Sequence, residues 1–283
     1  MPQLTHMRQR IKAIETIKKI TNAMRLISMS SHLHLSKKAP FIQNYKKELF
    51  NTLNVFLSLE KKWQGILNPK SENKKTLIIL VGSQKGLCGT FNNTLFNLFE
   101  KKVTPEEFNS DFISVGKKAT DYLKKENIKL IATFDQFTFN SLNKITNNIF
   151  QIIQKANPIY TDVICYSNSP KSFFSQVPER YILVPAQSEE FKSEQEFVKI
   201  NYQDYIWEQP AEDVANTITN EYLKFAIQSI LFNSIFAEQA ARFQSMDSAT
   251  RNADELLEDM KRLYNKVRQT KITKEITELS SSM

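Results

Sequence analysis

The sequence predicts two long terminal helices, paired as an antiparallel coiled coil, with an α/β domain on a mostly parallel sheet between them. Three observations predict this. All five glycines lie between residues 65 and 116, so both ends of the chain lack the commonest helix breaker. Both ends carry apolar residues at steps of three and four. The middle changes to short β-branched runs that alternate with helical stretches.

The first segment is residues 1–68. Leu4, Met7, Ile11, Ile14, Ile17, Ile20, Met24 and Ile27 fall on one helical stripe. Pro2 suits a helix entrance. Pro40 is expected to bend or interrupt the helix, and a second helical stretch follows from Tyr45 to Trp63. Gly65 and Pro69 end it, and "NPKSENKK" reads as a polar linker.

The second segment is residues 75–209. "TLIILVGS" is a continuous apolar run closed by glycine, the pattern of a strand buried on both faces. "FISVG", "IKLIATF", "DVICYSN" and "RYILVPA" read as further strands. "FNNTLFNLFEKK", "KKATDYLKKEN" and "NSLNKITNNIFQIIQKA" read as the helices among them. Strands alternating with helices give a Rossmann-like α/β domain with a mostly parallel sheet. The tract from Gln187 to Tyr205 is acidic and aromatic and fits neither pattern.

The third segment is residues 210–283. Steps of three and four give Tyr222, Phe225, Ser229, Phe232, Phe236, Gln239, Phe243, Met246, Thr250, Ala253, Leu257, Met260, Tyr264 and Val267. A sustained 3.5-residue period winds a helix left-handedly around a partner. From Ala211 to Glu278 the helix would be roughly 100 Å long at about 1.5 Å per residue. No domain of this size buries such a length, so the first segment is expected to supply the partner stripe. After Val267 the stripe positions pass to Lys271 and Lys274, so the end should outrun its partner helix.

Composition narrows the function. Apolar residues at 41% and charged residues at 24% are an ordinary globular balance. Two cysteines, Cys88 and Cys165, without C-x-x-C spacing fit a reducing compartment better than a disulfide framework. No apolar run approaches the ~20 residues that span a bilayer. The start has no apolar core of a signal peptide. It is basic and amphipathic like a transit peptide, but its periodic pattern simply continues. Residues 1–50 hold ten Lys and Arg against two acids, so the whole +8 excess lies there. Such an arm meets nucleic acid, an anionic surface or a carboxylate-rich protein.

The motifs exclude chemistry more than they supply it. "VGSQKGLCGTFN" follows the first strand, where phosphate loops occur. It lacks the Lys–Ser/Thr pair of one phosphate pattern and the glycine spacing of the other. A tight strand-to-helix turn, with Cys88 as a small buried hydrophobe, is the expectation. His32 and His34 stand about 200° apart on a helix and cannot share a metal. The three histidines all lie in the first 34 residues, and no nucleophile–base arrangement can be assembled around them. No catalytic, metal or cofactor residue is therefore expected. A basic helix could bind nucleic acid, but no aromatic side chains interleave with its charges for stacking. A non-catalytic coiled-coil protein with an α/β head that binds nucleic acid or another acidic partner is the competing class of function.

Three stretches carry a resemblance. "MRQRIKAIETIKKITNAMRLISMS", particularly "KKITNAM", resembles the first helix of the gamma subunit of F-type ATP synthases. "GLCGTFN" resembles that family's turn after its first strand, and "YNKVRQTKITKEITEL" resembles its C-terminal signature. The resemblance implies a central rotor shaft, itself non-catalytic, inside a proton-driven synthase. The coiled coil would enter the hexamer of alternating alpha and beta subunits, and the α/β domain would sit against the epsilon subunit and the membrane ring of c subunits. It implies a peripheral place on the cytoplasmic face of a bacterial inner membrane rather than an organelle membrane. It also implies subunit contacts at Met24 and Arg25, at Lys18 and Lys19 a turn or two earlier, and at Arg268, Gln269 and Thr273 near the tip. Two departures stand out. His32, Leu33, His34 and Leu35 follow Ser31 where the family is usually basic, and Thr90 replaces a usual glycine or alanine. A regulatory dithiol loop has no counterpart here.

Overall fold

The computed structural model describes residues 2–59, 67, 75–104, 107, 110–185 and 209–281. Helix α1 spans Pro2–Ser36 and α2 spans Ala39–Leu59. The chain breaks between them at Lys37 and Lys38, and Pro40 is the second residue of α2. Proline suits a first helical turn because its missing N–H would have had no acceptor there. The expected end of this helix at Trp63, the linker after it and the tract 187–205 lie outside the described residues.

Five strands form one sheet: β1 (Thr76–Val81), β2 (Asp111–Val115), β3 (Leu130–Phe134), β4 (Asp162–Ser172) and β5 (Ser175–Val184). Their order is β3-β2-β1-β4-β5, parallel except for the antiparallel β4–β5 hairpin. Helices α3 (Phe91–Lys102), α4 (Lys117–Lys125) and α5 (Leu142–Gln154) follow β1, β2 and β3. All five strands and three helices expected from the sequence are present. The turn of the hairpin, Phe173–Phe174, carries none of the glycine or asparagine that announces a two-residue turn in a sequence.

The sheet is covered on both faces, which is why β1 is apolar at successive positions. Ile78 and Leu80 of β1 face a cluster with Leu95 and Phe99 of α3 and Ala119 and Leu123 of α4. Leu77, Ile79 and Val81 face the opposite cluster, with Ile145 and Ile149 of α5 and Leu223, Ile227 and Leu231 of the last helix. Each such side chain contributes about 1.5–3 kcal/mol on burial. Two glycines let β1 and β2 end side by side. Gly116 has φ +86°, and a Cβ there would stand 2.2 Å from the Gly82 carbonyl oxygen. A Cβ on Gly82 would stand 2.9 Å from the Ala119 nitrogen.

The last helix, α6, runs unbroken over Ala211–Ser281, 71 residues. Contacts divide the chain into two compact units. One comprises Met1–Ser31, Leu87–Gly89 and Gln239–Met283; the other comprises His32–Gly86 and Thr90–Glu238. The expected α6 stripe needs correction over its first half. Between Tyr222 and Ile235, α6 is core on several sides, with Leu223, Ala226, Ile227, Ile230 and Leu231 buried beside the stripe. The α/β unit therefore buries more of this helix than its heptad pattern implies.

Candidate functional site

The unit that holds the two chain ends is an antiparallel pair of α1 and α6. On α6 the expected seam is in place: Met246, Thr250, Ala253 and Leu257 are buried, and Met260, Tyr264, Val267 and Lys271 are half-buried. On α1 the seam corrects the expectation. It begins as predicted with Leu4, Met7, Ile11 and Ile14, then passes to Lys18, Thr21, Arg25 and Ser28. Ile17, Ile20 and Ile27, expected inside, are 53%, 54% and 65% exposed.

The cause lies on the partner helix. Arg25 Nη1 donates to Asp247 Oδ1 at 2.8 Å, and Arg251 Nη2 reaches Asp247 Oδ2 at 2.8 Å. Lys18 pairs with Asp254, and the Thr21 and Thr250 hydroxyls meet at 2.9 Å. Arg8 Nη2 donates to the Tyr264 hydroxyl at 3.2 Å, and Lys261 pairs with Glu15 at 3.3 Å. Half-exposed pairs of this kind add little stability each. They do fix which residues of α1 face which residues of α6, because a one-turn slip would set Lys18 and Arg25 against the wrong neighbours.

The pair has two unlike flanks. Glu15 and Lys261 each follow a seam residue and meet on one side. Residues that precede seam positions take the other side: Ile17 and Met24 of α1, Leu256 and Leu263 of α6. Leu256 and Leu263 are 51% and 50% exposed. One flank is thus ionic and the other is an exposed apolar row. Lys19, two residues on from Ile17, stands solvent-exposed on the other side of α1 from that row.

The turn Leu87–Gly89 belongs to this unit. Leu87 and Gly89 have φ of 64° and 59°, Cys88 is buried, and a Cβ on Gly89 would lie 3.8 Å from Ser245 Cβ of α6. The loop is the expected tight turn with Cys88 inside. Its seat against α6 has no signal in the sequence.

Of the residues singled out from the sequence, Lys18 and Arg25 are engaged with α6 acids, Met24 is half-buried on the apolar flank, and Lys19 is exposed. Arg268, Gln269 and Thr273 are exposed near the end of α6. Gln269 and Thr273 share a shallow polar face with Lys266, Thr270, Lys274 and Thr277. Arg268 lies beside that face rather than in it. From Ile272 to Ser281 the side chains of α6 are exposed. Among the described residues no three His, Cys, Asp or Glu side chains are placed to hold a metal ion. Among them, too, no helix is long and apolar enough to cross a membrane.

Comparison with known proteins gives this geometry its context. A solved mitochondrial ATP synthase rotor from Euglena gracilis superposes with a TM-score of 0.68 at 15% identity, over 96% of this chain and 99% of that one. A second structure from that organism, described as OSCP/F1/c-ring, gives 0.71 at 15% identity, over 100% and 94%. At that identity the likeness concerns the fold alone. The ATP synthase gamma chain of Fusobacterium nucleatum is 30% identical over 285 residues, which cover 99% of this chain and 98% of the relative. That of Buchnera aphidicola is 30% identical over 289 residues, covering 99% and 97%. A family model described as ATP synthase matches residues 3–283, and so the chain belongs to the ATP synthase family, among its gamma chains.

Proposed function

We propose that this chain is the rotor shaft of a proton-driven ATP synthase, carrying no catalytic group of its own. The observation that carries the reading is the end of α6. From Ile272 to Ser281 its side chains are exposed and its seam has ended. A helix that extends beyond its own packing partner suits a sleeve supplied by other subunits.

In this reading the coiled coil stands inside a hexamer of alpha and beta subunits. The α/β domain, residues 75–209 in the sequence division, meets epsilon and the c-ring. Residues 1–68 and 210–283 of that division supply the shaft helices, which pair over Met1–Ser31 and Gln239–Met283. Contact with the hexamer falls on Lys19, Met24 and the apolar flank, and on Arg268, Gln269 and Thr273 at the tip. Lys18 and Arg25 support that surface from the seam, because their charges are held by Asp254 and Asp247. Those pairs also weigh against the nucleic-acid reading, since they withdraw two cations from the basic arm. Bacterial gamma chains among the relatives support a peripheral place at the cytoplasmic face of the inner membrane. The test is expression with the candidate alpha and beta chains, followed by purification through a tag on this one. A nucleotide-hydrolysing complex that turns on this chain is expected. Recovery of this chain without a hexamer overturns the proposal.

A further inference from the structure

The structure gives His32 an unusual seat, between two phenylalanine rings. The residue is only 9% exposed. Its ring stacks on Phe236 of α6, with centroids 4.3 Å apart and planes 16° apart. It meets Phe173 edge-on at 4.8 Å. Phe173 is half of the two-residue turn of the β4–β5 hairpin, and the other half, Phe174, is 77% exposed. Nδ1 is buried with no hydrogen-bond partner.

A neutral imidazole tolerates this seat, because Nδ1 can be the nitrogen without a proton. An imidazolium carries N–H on both nitrogens, and the one at Nδ1 would be buried without an acceptor. A cation over an aromatic face recovers part of that cost. The charged or titratable groups near it in sequence on the elements that pack here are Lys171 on the hairpin, Glu238 on α6, and His34 and Lys38 on its own side. Lys171 and His34 point to solvent, and Glu238 is buried. Burial alone moves the His32 titration, and it moves it down.

We propose that His32 is an acid-released latch: neutral, it fastens the tip of the β4–β5 hairpin to α1 and α6, and protonation drives its ring out and frees the tip. The latch is closed above the ordinary histidine pKa of about 6.5, and it opens progressively as pH falls below that value. Release uncovers Phe173 next to Phe174, turning one exposed phenylalanine into an apolar pair at the hairpin tip.

The test is deuterium exchange on the full-length chain. Exchange of residues 168–178 is divided by exchange of the β1–β2 core in the same sample, which cancels the intrinsic pH dependence. Between about pH 7.5 and pH 5.5 the ratio is expected to rise roughly threefold or more in the natural chain. In H32F, which keeps a ring but has no titrating nitrogen, it stays flat. H32L serves as the second non-titrating variant, and is decisive alone where H32F does not fold. A flat ratio in the natural chain overturns the proposal. So does a ratio that falls with acid, as a dominant cation–π contact would give, or an equal rise in the two variants.

Discussion

At Gly116 the space for one methyl group decides whether two strand ends can lie together. Its left-handed φ of +86° and the 2.2 Å from a virtual Cβ to the Gly82 oxygen act in the same direction. Gly116→Ala is therefore expected to lower stability by about 2–4 kcal/mol, read as a lower denaturant midpoint with an unchanged slope. Burial also governs Cys165, whose thiol is pushed far above its usual range. The thiolate is the reactive form. Iodoacetamide at about pH 8 should leave Cys165 unmodified in the folded chain and alkylate it once denaturant is added. Asp247, which takes two arginines, is a partly exposed acceptor and is held to a smaller expectation. A double-mutant cycle of Arg25→Ala and Asp247→Ala should give a coupling of about 0.5–1 kcal/mol that shrinks as salt is added.

The α1–α6 pair makes a sharper test, because its buried seam and exposed flank lie one residue apart in sequence. Leu257→Asp with Met260→Asp puts charge into the seam and should abolish soluble, assembled protein. Leu256→Asp with Leu263→Asp places the same charge on the apolar flank and should leave the helical circular dichroism of the full chain unchanged. Equal damage from both would mean that the seam is misassigned. The α6 seam was legible in the sequence because its residues are mostly apolar and strictly spaced. The α1 seam was only half legible. Ile17, Ile20 and Ile27 also keep helical spacing, and apolarity alone favours them over Lys18, Thr21 and Arg25. What reverses the choice is Asp254 and Asp247, more than 200 residues away, and no local pattern contains that information. The β4–β5 turn escaped for a different reason: Phe173 and Phe174 carry no turn preference, and what meets Phe173 is His32, itself stacked on Phe236 of a distant helix.

For the whole molecule, the interpretable measurement is turnover in the assembled complex. Arg268→Ala or Gln269→Ala is expected to slow ATP hydrolysis while subunit stoichiometry stays intact, a charge-assisted contact being worth about 1.5–3 kcal/mol. Parental rates in both variants would remove these residues from the contact surface. The terminal signature that suggested them was readable, but their geometry was only partly so. Spacing placed Gln269 and Thr273 on one face, where the structure has them, and it could not show that Arg268 stands beside that face. The seam itself has a mechanical consequence. Its residues on both helices recur every 3.5 positions, so the two strands wrap as a left-handed rope. A rope resists twist unequally in its two senses. Torque that follows the lay tightens the strands onto Met7, Ile11, Leu257 and Met260, whereas torque against it pulls the Arg25–Asp247 and Lys18–Asp254 pairs apart. The two senses of torque therefore load different residues of the shaft, the apolar seam in one and the ionic pairs in the other.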